Sequence, residues 1–327
     1  MRSYRMLSSS KNLSIVIPVY NLEKQLPVCV DSILQATDDS SEILLVNDGS
    51  KDGSKDVTES YQQKYPERVV AITQDNAGPG AARNLGIARA KGRYICFIDG
   101  DDVVEPEYFK KLVSAIGETG ADIVVSGYKR VVDGKTDFTL IPQDIPWSRY
   151  LVMAPWAKIY DLDFIRRNGI QFSDTPIGED VYFNTVAYSC SDKIAILPYA
   201  GYSYICNSES LTNTTSRGLR KEIEFTDLLD RIDRNVRRRD SLLNYQYIKY
   251  GVHYMLYSGR TATKARFMEE HGKLFDWYRR HDVPLKFPMG KETSSEFLRN
   301  RIAINGYLAL TKMHLIGAFA SIWCQGK

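Results

Sequence analysis

The sequence lacks the long apolar runs and the paired metal-binding residues that mark several common protein classes. No apolar stretch reaches the roughly 18 residues that a membrane span requires, so no transmembrane helix is predicted. The segment MRSYRMLSSSK has no apolar signal-peptide core. The five cysteines are scattered and form no C-x-x-C pair, which favours a cytoplasmic protein with reduced thiols. The four histidines lack zinc spacing. Any bound metal is therefore expected to have carboxylate ligands.

Strong charge and the common nucleotide-binding motifs are also missing. A formal net charge of +3 is too small to indicate a nucleic-acid partner. No G-x-x-x-x-G-K-[ST] segment occurs, which excludes a P-loop enzyme. The run GPGAAR, residues 78–83, approaches G-x-G-x-x-G, but Arg83 stands in place of the third glycine. This run also follows the third predicted strand rather than the first, so a dehydrogenase is disfavoured.

The most informative stretch that is present is RYICFIDGDDVV, residues 93–104. Its apolar, β-prone run ends abruptly in Asp99, Asp101 and Asp102, grouped around Gly100. Side chains alternate along an extended strand, so Asp99 and Asp101 are expected to point to the same side. Two close carboxylates suit Mg2+ or Mn2+. The alternative is a solvated acidic loop, in which Asp-Gly forms an ordinary turn.

Strand and helix patterns alternate through the first part of the chain. Predicted strands cover residues 13–19, 43–46, 69–73, 94–98 and 123–126, with helical patterns at 22–35, 54–65, 81–88 and 106–117. Pro18 is expected to end the first strand. This alternation predicts a doubly wound α/β sheet, whose ligands bind beyond the carboxyl ends of the strands. The polar residues at those ends are Tyr20, Asp48, Asn76, Asp99 and Asp101.

The pattern changes after the fifth predicted strand. Residues 129–215 look irregular and contain a second acidic group, Gly178-Glu179-Asp180. Residues 217–280 look helical and highly charged, with a basic cluster at 234–239, and residues 307–323 form an apolar tail. A separate, mostly helical C-terminal region is therefore predicted.

Five segments, in this order, carry a resemblance to a known family. They are IVIPVYN (15–21), LLVNDGSKDGS (44–54), NAGPGAARNLGI (76–87), FIDGDD (97–102) and GED (178–180). The chain resembles family 2 inverting glycosyltransferases, and PWAKIYD (155–161) resembles the members that build bacterial capsule and exopolysaccharide. The resemblance implies the GT-A fold of nucleotide-diphospho-sugar transferases, a Rossmann-like, mainly parallel sheet with helices on both faces. A processive Q-x-x-R-W motif is missing, which predicts one sugar added per encounter.

The resemblance also implies a domain organisation and a reaction. Residues 1–12 would be a tail, 13–215 the GT-A catalytic domain and 216–327 a helical region. Within the catalytic domain, 13–128 would bind the nucleotide and 129–215 the acceptor. With Mn2+ or Mg2+, one sugar would pass from a UDP-sugar to a hydroxyl of a saccharide or lipid-linked saccharide, with inversion, in polysaccharide synthesis. A catalytically inactive binding module of the same fold is the alternative. A sugar-nucleotide pyrophosphorylase is disfavoured, because no glycine-rich basic loop follows the first strand.

Roles on the donor side follow residue by residue from the resemblance. Asp101 would ligate the metal, and Asp99 would hold the ribose or contribute to the metal site. The residues implied in nucleotide binding are Pro18, Tyr20, Asp48, Asn76 and Arg83. Within this set Tyr20 would stack on the base, Asp48 would accept from the base N–H, and Arg83 would reach the base or the diphosphate. Without the resemblance, the same residues read as local aromatic packing, an Asx turn and a surface salt bridge.

Roles on the acceptor side follow in the same way. Asp180 would be the general base, with Glu179 beside it raising its pKa. Trp156 and Lys158 would lie near the acceptor and the phosphates, and Ser208–Thr212 resembles a loop that closes over the donor. The alternatives are purely structural roles, a helix N-cap for the GED segment and a core position for Trp156.

A membrane-facing acceptor suggests a further partner. The basic cluster at 234–239 and the apolar tail at 307–323 would together provide peripheral contact with the inner face of the cell membrane. The alternative is a solvated helix face beside an ordinary core helix.

Overall fold

The structure, a computed structural model, describes residues 11–206, 219, 220, 222–286 and 290–326. It divides into two compact units. The first comprises the described residues within Met1–Asp144, Val152–Asp174 and Glu179–Cys206, and the second those within Ile145–Leu151, Thr175–Gly178 and Asn207–Lys327. The predicted boundary at 215/216 and the predicted loop Ser208–Thr212 lie outside the described residues. Two short segments of the predicted catalytic domain, 145–151 and 175–178, belong to the second unit.

The first unit contains two sheets and the helices that follow their strands. Its strands are β1 (Leu13–Val19), β2 (Ser41–Asp48), β3 (Val69–Gln74), β4 (Tyr94–Phe97), β5 (Val103–Val104), β6 (Ile123–Val125), β7 (Tyr128–Val132), β8 (Lys135–Leu140), β9 (Lys158–Asp161), β10 (Ile194–Ile196) and β11 (Tyr202–Cys206). Its helices are α1 (Leu26–Gln35), α2 (Ser54–Lys64), α3 (Pro79–Arg89), α4 (Tyr108–Thr119), α5 (Leu162–Arg167) and α6 (Glu179–Cys190).

The larger sheet has seven strands in the order β10-β6-β9-β4-β1-β2-β3. Strand β1 is parallel to both β2 and β4, β2 is parallel to β3, and β9 runs antiparallel between β4 and β6. Helices α2 and α3 pack on strands β1–β3, and α4 packs on β6 and β9. The predicted, mainly parallel α/β sheet is therefore confirmed. The carboxyl ends of β1, β2, β3 and β4 lie along one edge of it.

The apolar composition of β1 explains its central position. All its residues except Pro18 are buried, as expected for a parallel strand covered on both faces. Helix α3 approaches β1 closely because Gly86 has no side chain. A Cβ built there would lie 2.3 Å from Cγ1 of Val16, which is closer than two non-bonded carbon atoms can approach.

Pro18 lies inside β1, paired with Val46, so the prediction that it ends the strand is wrong. Val16 turns its backbone toward β4, where its carbonyl accepts from the Ile98 N–H. Pro18, two residues on, faces the same way, but the β1–β4 pairing already stops at Val16. The missing N–H of Pro18 therefore removes no ladder hydrogen bond.

Residues 129–206 are regular, which corrects the prediction of an irregular region. They contain most of β7, all of β8–β11, and helices α5 and α6. Together with β5, strands β7, β8 and β11 form a second, four-stranded sheet in the order β5-β11-β7-β8. Strands of two to six residues are too short to show a clear period, and β7 is only half-buried, so its pattern is neither alternating nor continuous.

The second unit is helical in its described residues, as predicted. Its helices are α7 (Phe225–Asn235), α8 (Ser241–Ser258), α9 (Lys264–Arg280), α10 (Leu298–Lys312) and α11 (Ile316–Trp323). Trp147, from a short 3-10 turn, is fully buried in this unit and packs on Tyr245 with ring centroids 4.6 Å apart. Its indole N–H donates to Glu296 (3.0 Å), which also pairs with Lys249 at 2.8 Å. None of the helices in the described part of the chain has the length and apolar character needed to cross a bilayer.

Candidate active site

Asp48 ends β2 and anchors the loop that follows β3. Its Oδ1 accepts from the Gln74 amide (2.7 Å) and the Ala77 N–H (2.9 Å), and its Oδ2 accepts from the Gly78 N–H (2.8 Å). Gly78 has φ +89°, a conformation that side chains disfavour, so a glycine suits this turn before α3. The local Asx-turn alternative is wrong, since these partners are 26 to 30 residues away. Base recognition by Asp48 stays a prediction.

The other predicted nucleotide contacts lie beside this anchor. Tyr20 follows β1 and is 43% exposed, and Asn76 is also exposed. The Asn76 side-chain amide donates to the Asp48 carbonyl at 3.0 Å. Pro18 packs close to the turn formed by residues 99–102, called the aspartate turn below. A Cβ built on Gly100 of this turn would lie 3.4 Å from the Pro18 carbonyl oxygen and 2.8 Å from a methyl of Leu22. These residues of the β1–β3 ends lie along the predicted edge.

The aspartates after β4 form a tight turn in which each has a different environment. The Asp102 N–H donates to the Asp99 carbonyl at 3.0 Å. Asp99 remains partly exposed, whereas Asp102 is completely buried. Burial, and then the charge of Asp99, raises the pKa of Asp101 to about 6. Burial followed by the charges of both neighbours raises the pKa of Asp102 well above its usual range.

Arg83 joins the aspartate turn to helix α6. Its guanidinium is 2.7 Å from Oδ1 of Asp99 and 3.3 Å from Oε1 of Glu179, and its side chain is only 6% exposed. The guanidinium carbon lies 5.3 Å from the centroid of the Phe172 ring. The surface salt-bridge alternative for Arg83 is therefore wrong. Contact with a base or diphosphate stays a prediction, since the structure assigns two of its nitrogens to protein carboxylates.

Asp180 stands in the first turn of α6, next to the Glu179 that Arg83 binds. Burial, and then the Glu179 carboxylate, raises the pKa of Asp180 to about 7. The Val181 N–H donates to its Oδ1 at 2.7 Å. Asn184, one turn later and fully buried, donates to the carbonyls of Asp180 (3.1 Å) and Met153 (2.7 Å). In this environment the pKa of the Asp180 carboxyl therefore lies near neutral pH.

Trp156 and Lys158 serve as packing residues in this structure. Trp156 is 8% exposed and stacks on Tyr202 and Tyr204, with centroids 4.7 and 5.8 Å away. Lys158 is fully buried, and its ammonium donates to the carbonyls of Val152 (2.9 Å), Ala154 (2.7 Å) and Trp156 (3.3 Å). Burial lowers its pKa to about 7. Three carbonyls use all three donors of Lys158 in this structure, and its place near the acceptor and the phosphates stays a prediction.

The donor set at the aspartate turn fits a divalent cation shared with a bound diphosphate. Asp99 and Asp101 supply hard oxygen ligands, and a bound cation would offset the burial and the charge of Asp99 that raise the pKa of Asp101. Within the described residues, no group of three or more His, Cys, Asp and Glu side chains could by itself hold a metal ion. A cation here would therefore complete its coordination with ligand or water oxygens, as Mg2+ usually does.

Two residues of the candidate site, Asn184 and Tyr202, are not marked by the sequence motifs. Asn184 could have been found, because it lies four residues after Asp180 on a helix and so one turn further along the same face. Tyr202 gave no local signal. Its hydroxyl donates to the Asp102 carboxylate and accepts from the Asp99 N–H (3.3 Å), across about 100 residues of sequence.

Comparison with known proteins identifies the family of the domain that contains this site. Residues 14–174 match the family model described as Glycosyl transferase family 2. The chain carries a family 2 glycosyltransferase domain. It is 31% identical over 220 residues to Glycosyltransferase GlyA of Streptococcus pneumoniae serotype 4, covering 61% of this chain and 31% of GlyA. It is 33% identical over 219 residues to the glycosyltransferase EpsJ of Bacillus subtilis, covering 61% of this chain and 62% of EpsJ.

A solved structure extends the comparison of folds beyond this domain. The crystal structure of residues 1–349 of TarS from Staphylococcus aureus, in complex with UDP-GlcNAc, superposes with a TM-score of 0.64 at 20% identity. The match covers 86% of this chain and 95% of that one. The predicted GT-A fold is therefore confirmed. The chain spans from about a third to just under two thirds of the length of the two curated relatives named above.

Proposed function

We propose that the chain is a metal-dependent, inverting glycosyltransferase that moves one sugar from a UDP-sugar to a hydroxyl of a saccharide or lipid-linked saccharide. The observation that carries this proposal is the Asp99–Arg83–Glu179 bridge. It brings the candidate donor and metal ligands of the aspartate turn next to the helix that bears Asp180. Transfer needs these two functions side by side, because the acceptor attacks as the diphosphate leaves.

Asp180 is the candidate general base. An acceptor hydroxyl must lose its proton as it bonds to the anomeric carbon, and a carboxylate with a pKa near 7 matches that task at neutral pH. Single displacement by a deprotonated hydroxyl inverts the anomeric centre. Asn184 holds the backbone of Asp180 in place, and Lys158 orders the adjacent 152–156 backbone through its carbonyl contacts.

The donor would bind along the ends of β1–β4. Tyr20 offers an exposed ring for stacking on a base, and Asp48 orders the loop that carries Asn76. Asp101 and Asp99 would hold Mg2+ or Mn2+, which when bound stabilises the negative charge of the departing diphosphate. The complex of TarS with UDP-GlcNAc and the name of its curated counterpart, a poly(ribitol-phosphate) β-N-acetylglucosaminyltransferase, support a UDP-sugar and a polymer acceptor in polysaccharide synthesis.

Replacing Asp101 by Asn should strongly weaken metal-dependent nucleotide binding. The wild-type chain is expected to be stabilised in thermal melts by UDP with Mn2+ and not by UDP with EDTA. Removing a charged ligand should weaken the affinity for Mn2+·UDP at least about 100-fold. A panel of UDP-sugars, assayed by UDP release, then identifies the donor.

The matched control is Asp163→Asn, the same chemical change at an exposed helix position. It should bind Mn2+·UDP as the wild type does. A wild-type chain that binds no nucleotide diphosphate with metal present would contradict the proposed activity and favour a binding module of the same fold.

We also propose that α10 and α11 contact an anionic membrane surface peripherally. Five large apolar side chains on or beside these helices are at least 42% exposed: Leu298, Ile302, Met313, Leu315 and Ile322. Residues 297–326 contain no Asp or Glu but do contain Arg299, Arg301 and Lys312. Apolar exposure combined with positive charge suits anionic lipid, whereas pairing of two such faces would bring like charges together.

The basic cluster at 234–239 is a weaker candidate for this contact than the sequence suggested. Arg239 lies 3.3 Å from Asp233, and Arg234 lies 3.9 Å from Asp230. Part of its charge is therefore neutralised by acids of the same unit, so α10 and α11 carry the proposed contact.

Ile322→Asp should weaken the membrane contact about tenfold, since it removes an 86% exposed apolar side chain and adds a negative charge. The measurement is co-sedimentation with phosphatidylcholine vesicles, with and without phosphatidylglycerol. Val28→Asp, at a 61% exposed position of α1, is the matched control and should leave binding unchanged. Equal sedimentation of wild type and Ile322→Asp would overturn the proposal.

A further inference from the structure

The Asp102 carboxylate faces the protein interior and is held by two donors from one strand. It is fully buried, its Oδ1 accepts from the Ile205 N–H at 2.8 Å, and its Oδ2 accepts from the Tyr202 hydroxyl. Both donors belong to β11. The third aspartate of the turn is therefore a structural anchor, set apart from the more exposed Asp99.

One hydroxyl group holds both ends of the turn. The Tyr202 oxygen donates to Asp102 and accepts from the backbone N–H of Asp99 at 3.3 Å. The turn itself is closed by the Asp102 N–H donating to the Asp99 carbonyl. Asp101 lies between these two fixed points, so the hydroxyl restricts the backbone on both sides of it.

The position of this hydroxyl is itself fixed by packing. The Tyr202 ring is fully buried and stacks on Trp156 with an interplanar angle of 6°. A third ring, Tyr108, lies with its centroid 6.2 Å away. The backbone of Tyr202 pairs with Val104 of β5 and with Tyr128 of β7. A side chain held by packing and by strand pairing presents its polar atom with little freedom, which a ligand-positioning group requires.

We propose that Tyr202 is a positioning residue for the donor-metal site, fixing Asp99 and Asp101 in the geometry that binds a divalent cation with a nucleoside diphosphate. This inference rests on the proposed function. It adds a residue that lies far from the aspartates in sequence and acts on the site through its hydrogen bonds to Asp99 and Asp102.

The test is Tyr202→Phe, which keeps the stacked ring and removes only the hydroxyl. We expect its affinity for Mn2+·UDP, measured by calorimetry, to fall about tenfold. The matched control is Tyr278→Phe in the second unit, where a buried tyrosine hydroxyl donates to the Tyr247 carbonyl at 3.0 Å. That variant should lose similar thermal stability while its affinity for Mn2+·UDP stays at the wild-type value.

The outcomes separate this inference from the proposed function. If wild type binds Mn2+·UDP and folded Tyr202→Phe binds equally well, the positioning role is wrong and the function stands. Equal losses of affinity in the Tyr202 and Tyr278 variants would also overturn it, since the effect would be one of general stability. If Tyr202→Phe does not fold, the isosteric Asp102→Asn decides, with weaker binding of Mn2+·UDP expected and unchanged binding contradicting the role. Failure of the wild type to bind would contradict the proposed function instead.

Discussion

Asp180→Asn is expected to lower the rate of sugar transfer by about 10²–10⁴ while leaving the affinity for Mn2+·UDP within about twofold of wild type. The amide cannot accept the proton of the acceptor hydroxyl, but it has the size of the carboxylate and disturbs neither the Val181 nor the Asn184 contact. Steady-state UDP release in the presence of acceptor gives the rate, and calorimetry gives the affinity.

The pH profile provides a second test of Asp180 as the general base. Because the pKa of Asp180 is raised to about 7, its carboxyl is protonated below neutrality and cannot act as a base there. The wild-type kcat/KM should therefore rise with pH through about 7, and Asp180→Asn should lose that step. Asp163→Asn should keep both the rate and the profile. More than a tenth of the wild-type rate in Asp180→Asn would contradict the role of general base.

Arg83→Met is expected to destabilise the fold by about 3–5 kcal/mol, the largest loss of stability predicted for a single change here. The variant leaves Asp99 and Glu179 facing each other without the buried cation that both contact, and its side chain keeps the packing on Phe172. Chemical denaturation measures the free energy of unfolding. Folded Arg83→Met should also bind Mn2+·UDP weakly, because Asp99 loses the partner that orients it.

The comparison for Arg83→Met is an arginine whose ion pair is exposed. Arg130 contacts Asp137 at 2.6 Å, but both side chains are more than a third exposed. Arg130→Met should change the free energy of unfolding little, since water and ions screen such pairs. Similar losses of stability in the two variants would show that the Asp99–Arg83–Glu179 bridge contributes no more to the free energy of unfolding than an exposed ion pair does.

The class of fold and the place of the candidate site could be read from the sequence. Strand β4 is recognisable as a short, continuous apolar run, and its abrupt end in aspartates marks the carboxyl end of a parallel strand. The same logic placed Tyr20, Asp48 and Asn76 at the same edge. These features are local, because apolar runs and polar strand ends repeat over a few residues and can be read without knowing what packs on them.

The side chains that anchor the site residues became apparent only from the tertiary structure. Arg83 and Glu179 are 96 residues apart, and Tyr202 and Asp102 are 100 apart. Burial of Lys158 among carbonyls likewise depends on how the 152–156 backbone folds over β9. Local spacing carries no information about such pairs, since a charged or aromatic residue has the same sequence signature whether it meets solvent, ligand or a buried partner. The sequence therefore located the candidate chemistry, and the long-range contacts showed which of these side chains are buried against protein partners and which remain exposed.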